Sequence, residues 1–201
     1  MENREGLTIL NLGSGKTQPL DITPPYFLVN LDSGYYREDS TTIYDILPQH
    51  KLWLNDPSLT VIKHLKEDAY AFLAKYPIKF DKIVIYRFLE HIPKRDVLYF
   101  IYLMATCLKS GGIIDCIVPN YKLLAQRILE EDPFSEDFES EDIITTYEVV
   151  NEPSCPHASI WTRDRIKKFF ELEQRFTLKE IIAPYDFDGR SIYLRAIIER
   201  R

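Results

Sequence analysis

Residues 8–15 read Thr-Ile-Leu-Asn-Leu-Gly-Ser-Gly, an apolar segment that ends in two glycines separated by a serine. The apolar run predicts a β-strand over residues 8–12, and glycines after it let a ligand approach the backbone because they lack a Cβ. A second apolar run predicts a strand over residues 26–31 and is followed by Asp32. In open α/β sheets a carboxylate at the end of the second strand hydrogen-bonds the ribose of a bound ligand. The two segments together therefore predict a nucleotide or nucleoside site.

Other interpretations of the two glycines remain open. Residues 13–17, Gly-Ser-Gly-Lys-Thr, contain the Gly-Lys-Thr of a Walker A sequence, but Leu10 stands where that motif has its first glycine. The three prolines in residues 18–25 disfavour the long helix that must follow a P-loop. A nicotinamide dinucleotide site would need the same helix and a third glycine. A turn without a ligand is a further alternative, because a short glycine pair is a weak signal.

Short apolar runs alternate with amphipathic segments of helical length along the rest of the chain, and no internal repeat is present. This alternation predicts βαβ units around a mostly parallel sheet. The predicted strands cover residues 8–12, 26–31, 59–65, 82–86, 113–118, 177–183 and 191–198. The predicted helices cover residues 45–54, 67–76, 94–108, 121–131 and 163–174. We expect Gly111-Gly112 to stop the third of these helices and Thr162 to cap the last. The last two strands are joined through Asp188-Gly189, which predicts an antiparallel pair.

Two further segments contain short motifs in a fixed order along the chain. Residues 80–93 read Phe-Asp-Lys-Ile-Val-Ile-Tyr-Arg-Phe-Leu-Glu-His-Ile-Pro, and residues 108–121 read Leu-Lys-Ser-Gly-Gly-Ile-Ile-Asp-Cys-Ile-Val-Pro-Asn-Tyr. With residues 10–15 and Asp32, they resemble the class I S-adenosylmethionine (SAM)-dependent methyltransferases, over roughly residues 7–198. The likeness is to small methyltransferase-like chains with Leu-Asn-Leu-Gly-Ser-Gly and Leu-Glu-His-Ile motifs. This sequence departs from them at Ser110, where proline is usual, and in the short connection between the first two strands.

The resemblance implies one domain over residues 1–201 with a Rossmann-like, mostly parallel seven-stranded sheet and an antiparallel last strand. Helices would cover both faces, and the first crossover would be shortened. It also implies SAM as the cofactor and methyl transfer to an unidentified acceptor. The alternative is a methyltransferase-like domain without catalysis that serves assembly or interaction, and the short first crossover keeps that alternative open.

The resemblance assigns cofactor contacts to ten residues: Leu12, Gly13, Ser14, Gly15, Asp32, Ser33, Asp68, Ala69, Tyr86 and Arg87. It places residues 12–15 beneath the amino-acid and ribose portions, Asp32 at the ribose hydroxyls and Asp68 at the adenine amino group. Tyr86 and Arg87 would border the methionine portion. The two acids of this set have simpler explanations. Aspartate is common in turns, which explains Asp32, and a negative charge is favoured at the start of a helix, which explains Asp68.

Three residues are candidates for catalysis: Glu90, His91 and His157. Methyl transfer from a sulfonium is an in-line displacement, so positioning supplies much of the rate. A general base is needed only where the acceptor must lose a proton. A lone histidine is more often a packed residue, which is the alternative for both histidines. The cysteines lack metal-ligand spacing, and we predict no metal site.

Composition limits the partners of the protein. The net charge is −6, and residues 130–142 hold eight acids and no base, which predicts an exposed loop that could also serve as a lid. The net charge disfavours general nucleic-acid binding, but without this segment 25 basic residues face 23 acids (31 − 8), so a local basic surface stays possible. No apolar run reaches the length of a membrane helix, and residues 1–6 carry no signal-peptide region. Three cysteines without metal-ligand spacing complete the expectation of a cytoplasmic protein, while the oligomeric state stays open.

Overall fold

The computed structural model describes residues 6–13, 25–32, 43–57, 60–76, 78–129, 157–187 and 190–201. Seven strands lie within these ranges: β1 Leu7–Leu12, β2 Tyr26–Leu31, β3 Val61–Leu65, β4 Phe80–Tyr86, β5 Leu108–Pro119, β6 Phe176–Phe187 and β7 Arg190–Arg200. They form one sheet in the order β3-β2-β1-β4-β5-β7-β6. β7 runs antiparallel to both of its neighbours, β5 and β6, and the pairs among β1 to β5 are all parallel. This is the Rossmann-like sheet with a reversed last strand that the sequence predicts.

The described helices match the predicted ones in number and order. They are α1 Ile43–Asn55, α2 Ala69–Lys75, α3 Val97–Cys107, α4 Tyr121–Leu129 and α5 Arg163–Leu172, with a 3₁₀ turn at Leu89–His91. The hydroxyl of Thr162 accepts a hydrogen bond from the Arg165 amide at 3.3 Å, which confirms Thr162 as the N-cap of α5. Helix boundaries therefore follow local capping chemistry at this end of the chain.

The central strands are buried on both faces, which explains why β1 and β2 read as continuous apolar runs. Leu10 and Leu12 face a large cluster that includes side chains of four helices, among them Trp53, Phe72, Phe100 and Phe170. On the opposite face, Ile117 of β5 packs with Leu124 of α4. Helices thus cover both faces of the sheet, as the sequence predicts.

The end of α3 differs from the prediction. The sequence analysis expects a helix over residues 94–108 and a strand only from residue 113, whereas α3 ends at Cys107 and β5 starts at once. Phe80 pairs with Leu108 and the next ladder position pairs residue 82 with residue 113, so residues 109–112 bulge out of β5. Gly111 has φ +76°, a conformation that favours glycine. The two glycines therefore shape a bulge inside the strand instead of stopping the helix.

Several predictions concern residues outside the described ranges. They include the acidic loop at 130–142, Cys155, the turn at Asp188-Gly189 and the sites Ser14, Gly15 and Ser33. The connection from β1 to β2 spans residues 13–25, of which 14–24 are not described, so the shortened crossover stays a prediction. Among the described helices, none combines the length and the apolarity needed to cross a bilayer.

Candidate active site at the carboxyl edge of the sheet

The carboxyl ends of β1, β2 and β3 lie side by side. Leu12 pairs with Leu31, and Leu31 pairs with Leu65, so the residues that follow these strands share one edge. The Gly13 amide donates to the Leu31 carbonyl at 2.9 Å, and the Asp32 amide donates to the Leu65 carbonyl at 3.1 Å. In open α/β sheets ligands bind outside this edge. The fold therefore brings the predicted cofactor residues Gly13 and Asp32 to adjacent positions where a ligand is expected.

Gly13 has a structural reason to be glycine. Its φ is +66°, which L side chains rarely adopt, and a Cβ at this position would come within 2.3 Å of Cδ2 of Phe88. The ring of Phe88, just after β4, thus occupies the space that a side chain at residue 13 would need. The glycine allows the ends of β1 and β4 to pack closely, and this contact explains it without a ligand.

Asp68 and Ala69 begin α2. The Oδ1 atom of Asp68 accepts a hydrogen bond from the Ala71 amide at 2.9 Å, and Ala69 is 8% exposed. Asp68 is therefore an N-cap residue, which is the simpler explanation offered by the sequence. A contact of either residue with an adenine stays a prediction.

Arg87 marks the end of β4 with an unusual backbone. It is the only non-glycine residue with positive φ in the described ranges, at +53°. Its amide donates to the Ile117 carbonyl at 2.8 Å, which ties the end of β4 to β5. Its guanidinium lies 6.0 Å from the ring centroid of Tyr193. Strained backbone of this kind is frequent at binding sites and costs about 1–3 kcal/mol.

Tyr86, the other residue predicted to border the cofactor, takes part in a buried ionic cluster. Its hydroxyl donates to Asp115 at 3.0 Å. Asp115 is fully buried in β5, and it also accepts hydrogen bonds from Lys82 at 2.7 Å and from Arg195 at 2.9 and 2.8 Å. Burial acts to raise the pKa of Asp115, but the bonds from Arg195 and Lys82 outweigh it and hold that pKa below its ordinary value.

Sequence reasoning missed this cluster, although one signal was visible. Asp115 interrupts the apolar run of residues 113–118, and a charge at such a position is buried unless the strand is at an edge. Its partners come from β4 and β7, so only the pairing of these strands identifies them. The cluster joins three neighbouring strands directly behind the carboxyl edge.

The three catalytic candidates of the sequence analysis meet in space. One potential ligand atom from each of Glu90, His91 and His157 lies within 4.8 Å of the other two. The two imidazole rings are 5.0 Å apart between centroids, at an interplanar angle of 67°. Glu90 and His91 belong to the 3₁₀ turn that follows β4, so the group stands at the same edge of the sheet as Gly13 and Asp32.

Backbone hydrogen bonds hold His157 beside the 3₁₀ turn. The amides of Ala158 and Ser159 donate to the Glu90 carbonyl at 2.8 and 2.9 Å. Trp161 is fully buried, and its indole N–H donates to the Leu89 carbonyl at 3.3 Å and to the Ser159 hydroxyl at 2.9 Å. The segment from residue 157 to residue 161 is therefore docked on the turn by both main chain and side chain.

Glu90 is the most unusual group of the site. Its side chain is fully buried, and within the described part of the chain neither carboxylate oxygen has a hydrogen-bond partner in another residue. Burial raises the pKa of Glu90 to about 8, against the smaller opposing effects of its own backbone amide and of Arg87. A buried carboxylate without a partner destabilises a fold, so its presence indicates a function or a missing counter-ion.

Tyr121 extends this group and was not among the predicted site residues. Its hydroxyl lies 2.5 Å from Nδ1 of His157, and its amide donates to the Trp161 carbonyl at 3.1 Å. The available signal was its position directly after β5, at the carboxyl edge where the other site residues stand. Tyr121 thus orients the imidazole that the docked segment delivers.

The fold of this chain is similar to that of known proteins, although its sequence is not. No family model and no curated protein matches this sequence. The chain is similar in structure to a SAM-dependent methyltransferase from Methanosarcina mazei, with a TM-score of 0.57 and 16% sequence identity. The alignment covers 98% of this chain and 93% of the Methanosarcina protein. The N-methyltransferase NodS from Bradyrhizobium japonicum, solved with S-adenosylhomocysteine, matches 96% over 78%, at 14% identity and a TM-score of 0.54.

A third structure is the plantazolicin methyltransferase BpumL, solved with S-adenosylhomocysteine and a monoazolic desmethylPZN analogue. It matches 96% of this chain over 76% of its own, at 15% identity and a TM-score of 0.59. The chain has the fold of the SAM-dependent methyltransferases. The methyltransferase fold accounts for the strand order and for the reversed β7, while the identities of 14 to 16% leave the roles of individual residues open.

Proposed function

We propose that this protein transfers a methyl group from SAM to an acceptor. The observation that carries the proposal is the match of nearly the whole chain to methyltransferases, two of which were solved with S-adenosylhomocysteine, the product that SAM leaves. We treat residues 1–201 as one methyltransferase-like domain.

The carboxyl edge offers groups that fit such a cofactor. Asp32 supplies carboxylate oxygens, which accept hydrogen bonds from ribose hydroxyls, and it stands next to Gly13 in the strand register. We assign the adenine to the start of α2 at Asp68 and Ala69, and the methionine portion to the end of β4. Leu12, Ser14, Gly15 and Ser33 complete the proposed binding set. When bound, SAM supplies an electrophilic methyl group, so the main task of the chain is to hold the acceptor in line with it.

We assign the acceptor side to Glu90, His91 and His157. These side chains lie within reach of one another at the edge where the methyl group would be presented. Each can accept a hydrogen bond or a proton from an acceptor hydroxyl or amine. The docked segment at Trp161 fixes the position of His157, and Tyr121 fixes its ring.

We place the reaction in the cytoplasm. The two described cysteines, Cys107 and Cys116, are buried free thiols, and burial raises the pKa of both, which makes them unreactive. The net charge of −6 favours acceptors other than bulk nucleic acid.

Ligand binding tests the proposal. S-adenosylhomocysteine should raise the melting temperature, since a ligand specific for the native state adds about 2.7 kcal/mol at a hundredfold excess over Kd. Asp32→Ala should weaken this binding at least tenfold, because a hydrogen bond to a charged group contributes about 1.5–3 kcal/mol. Lys16→Ala is the matched control and should bind normally, because S-adenosylhomocysteine has no phosphate.

The outcomes separate the three interpretations. Stabilisation by ATP with magnesium that is lost in Lys16→Ala, while Asp32→Ala binds normally, would identify a P-loop protein. No response to S-adenosylhomocysteine or to ATP would identify a methyltransferase-like domain without catalysis. Either result would contradict the proposed function.

A further inference from the structure

We infer that Glu90, His91 and His157 form a binding site for a divalent transition-metal ion, with zinc as the ion that suits these donors best. The three potential ligand atoms lie within 4.8 Å of one another. Ligand atoms that surround a zinc ion at about 2.0–2.1 Å lie about 3.4 Å apart in tetrahedral geometry. The distances between these ligand atoms need to shorten by about 1.4 Å at most, which small side-chain rotations would achieve.

The donor set selects the class of metal. Two imidazoles with one carboxylate are a common set for catalytic zinc and for non-haem iron. Magnesium and calcium prefer sites built from oxygen ligands, so these ions fit the group poorly. Three protein ligands leave at least one coordination position open, which is typical of a catalytic metal site and not of a structural one.

The burial of Glu90 is an independent indication that the group binds a cation. Among the residues that the structure describes, Glu90 and Asp115 are the two fully buried carboxylates. Asp115 is matched by Lys82 and Arg195, whereas in the described ranges the oxygens of Glu90 lack any hydrogen-bond donor from another residue. A bound ion would place a positive charge in direct contact with the oxygens of Glu90 and would offset the cost of burying the carboxylate.

The surroundings of His157 agree with this role. Nδ1 of His157 lies 2.5 Å from the Tyr121 hydroxyl, so we assign Nε2 as the ligand atom of this histidine. Histidine ligands usually hydrogen-bond through their second ring nitrogen, and this contact orients the ring toward the metal. The amides of Ala158 and Ser159, which directly follow His157, both donate to the Glu90 carbonyl and so hold this segment against the 3₁₀ turn. The backbone of the site is thus held in place before any ion binds, and only side chains need to move.

The place of the ion in the reaction rests on the proposed function. The group stands at the carboxyl edge of the sheet, next to the end of β4, where the acceptor would meet the methyl donor. An ion with an open position binds an oxygen ligand and lowers the pKa of a hydroxyl. The inference therefore favours an acceptor that presents a hydroxyl or carboxylate oxygen to the cluster.

Zinc binding to the untagged, chelator-treated full chain tests the site without SAM. Titration calorimetry with zinc chloride should show about one ion per chain, and magnesium chloride should show none. Glu90→Gln keeps the shape of the side chain and should weaken zinc binding at least a hundredfold, because loss of even an outer-shell partner costs about 10–100-fold. Tyr121→Phe should weaken it about tenfold. His64→Gln is the matched control, since His64 lies on β3 outside the cluster, and it should bind zinc as the wild type does.

Cobalt substitution gives a second readout that needs no variant. Cobalt bound by nitrogen and oxygen ligands in a four- or five-coordinate site should show visible absorption bands that zinc displaces. Absence of zinc binding by the wild type, or binding that Glu90→Gln leaves unchanged, would overturn the inference. Zinc binding without any binding of S-adenosylhomocysteine would support the metal site and contradict the proposed function instead.

Discussion

The buried ionic cluster around Asp115 allows a strong prediction about stability. Asp115→Asn keeps the size of the side chain but removes the charge that faces Lys82 and Arg195, whose side chains are each 21% exposed. The new amide has one oxygen and one NH₂ group, so a donor now points at groups that can only donate. Two cations are left in a largely dry environment without their counter-ion.

The expected cost follows from this geometry. Breaking a buried ion pair by removing one partner costs about 3–5 kcal/mol, and typical folds have only about 5–15 kcal/mol in total. Tyr86→Phe is the matched control, because it removes one hydrogen bond to the same carboxylate and keeps both ion pairs. This smaller change should cost about 1.5 kcal/mol.

Equilibrium unfolding in urea, followed by far-UV circular dichroism at pH 7, measures both changes. With a slope of about 2 kcal/mol per molar urea, the Asp115→Asn midpoint should fall by about 1.5–2.5 M. The slope itself should stay constant if the native fold is kept. A loss below about 1 kcal/mol for Asp115→Asn, or a larger loss for Tyr86→Phe, would refute the electrostatic argument.

The same cluster predicts a dependence on pH. Because the folded pKa of Asp115 is lower than its unfolded value, its contribution is present above the unfolded pKa and is lost as pH falls through the folded pKa. The difference in unfolding free energy between wild type and Asp115→Asn should therefore be full at pH 7 and shrink below about pH 4. A difference that stays constant down to pH 2 would contradict this assignment.

Two further changes test the packing around the site. Gly13→Ala should lower the unfolding free energy more than its control Gly111→Ala. Both glycines have positive φ, so alanine costs about 1–2 kcal/mol of backbone strain at either position. A Cβ at residue 13 also meets the ring of Phe88, whereas a Cβ at residue 111 meets open space. Equal losses for the two glycines in thermal unfolding would show that the Phe88 contact does not constrain residue 13. Trp161→Phe should lower stability by about 2 kcal/mol and weaken zinc binding, because the segment that carries His157 loses both indole hydrogen bonds. Unchanged zinc affinity would show that the docking of this segment does not position the histidine.

The sequence by itself determined the fold class and most element positions. Periodicity and capping predict local structure because they act over neighbouring residues, and β2, α1 and α5 appear within two residues of their predicted ends. The Gly111-Gly112 pair was misjudged because the same dipeptide suits a helix end and a strand bulge. The ladder between β4 and β5 decided between them, and that is a contact between distant residues.

For the candidate site, too, the sequence predicted individual residues and the tertiary structure decided how they come together. The sequence named Glu90, His91 and His157 one by one from their motifs, yet it predicted no metal site, because ligand spacing along the chain does not reveal two segments that meet only in the fold. The tertiary structure brought His157 to the 3₁₀ turn and added Tyr121, and it left Glu90 buried with no hydrogen bond to another described residue. Burial and partnership are properties of the packed chain, since they depend on which distant groups exclude water from a carboxylate, and so only the packed structure could decide them.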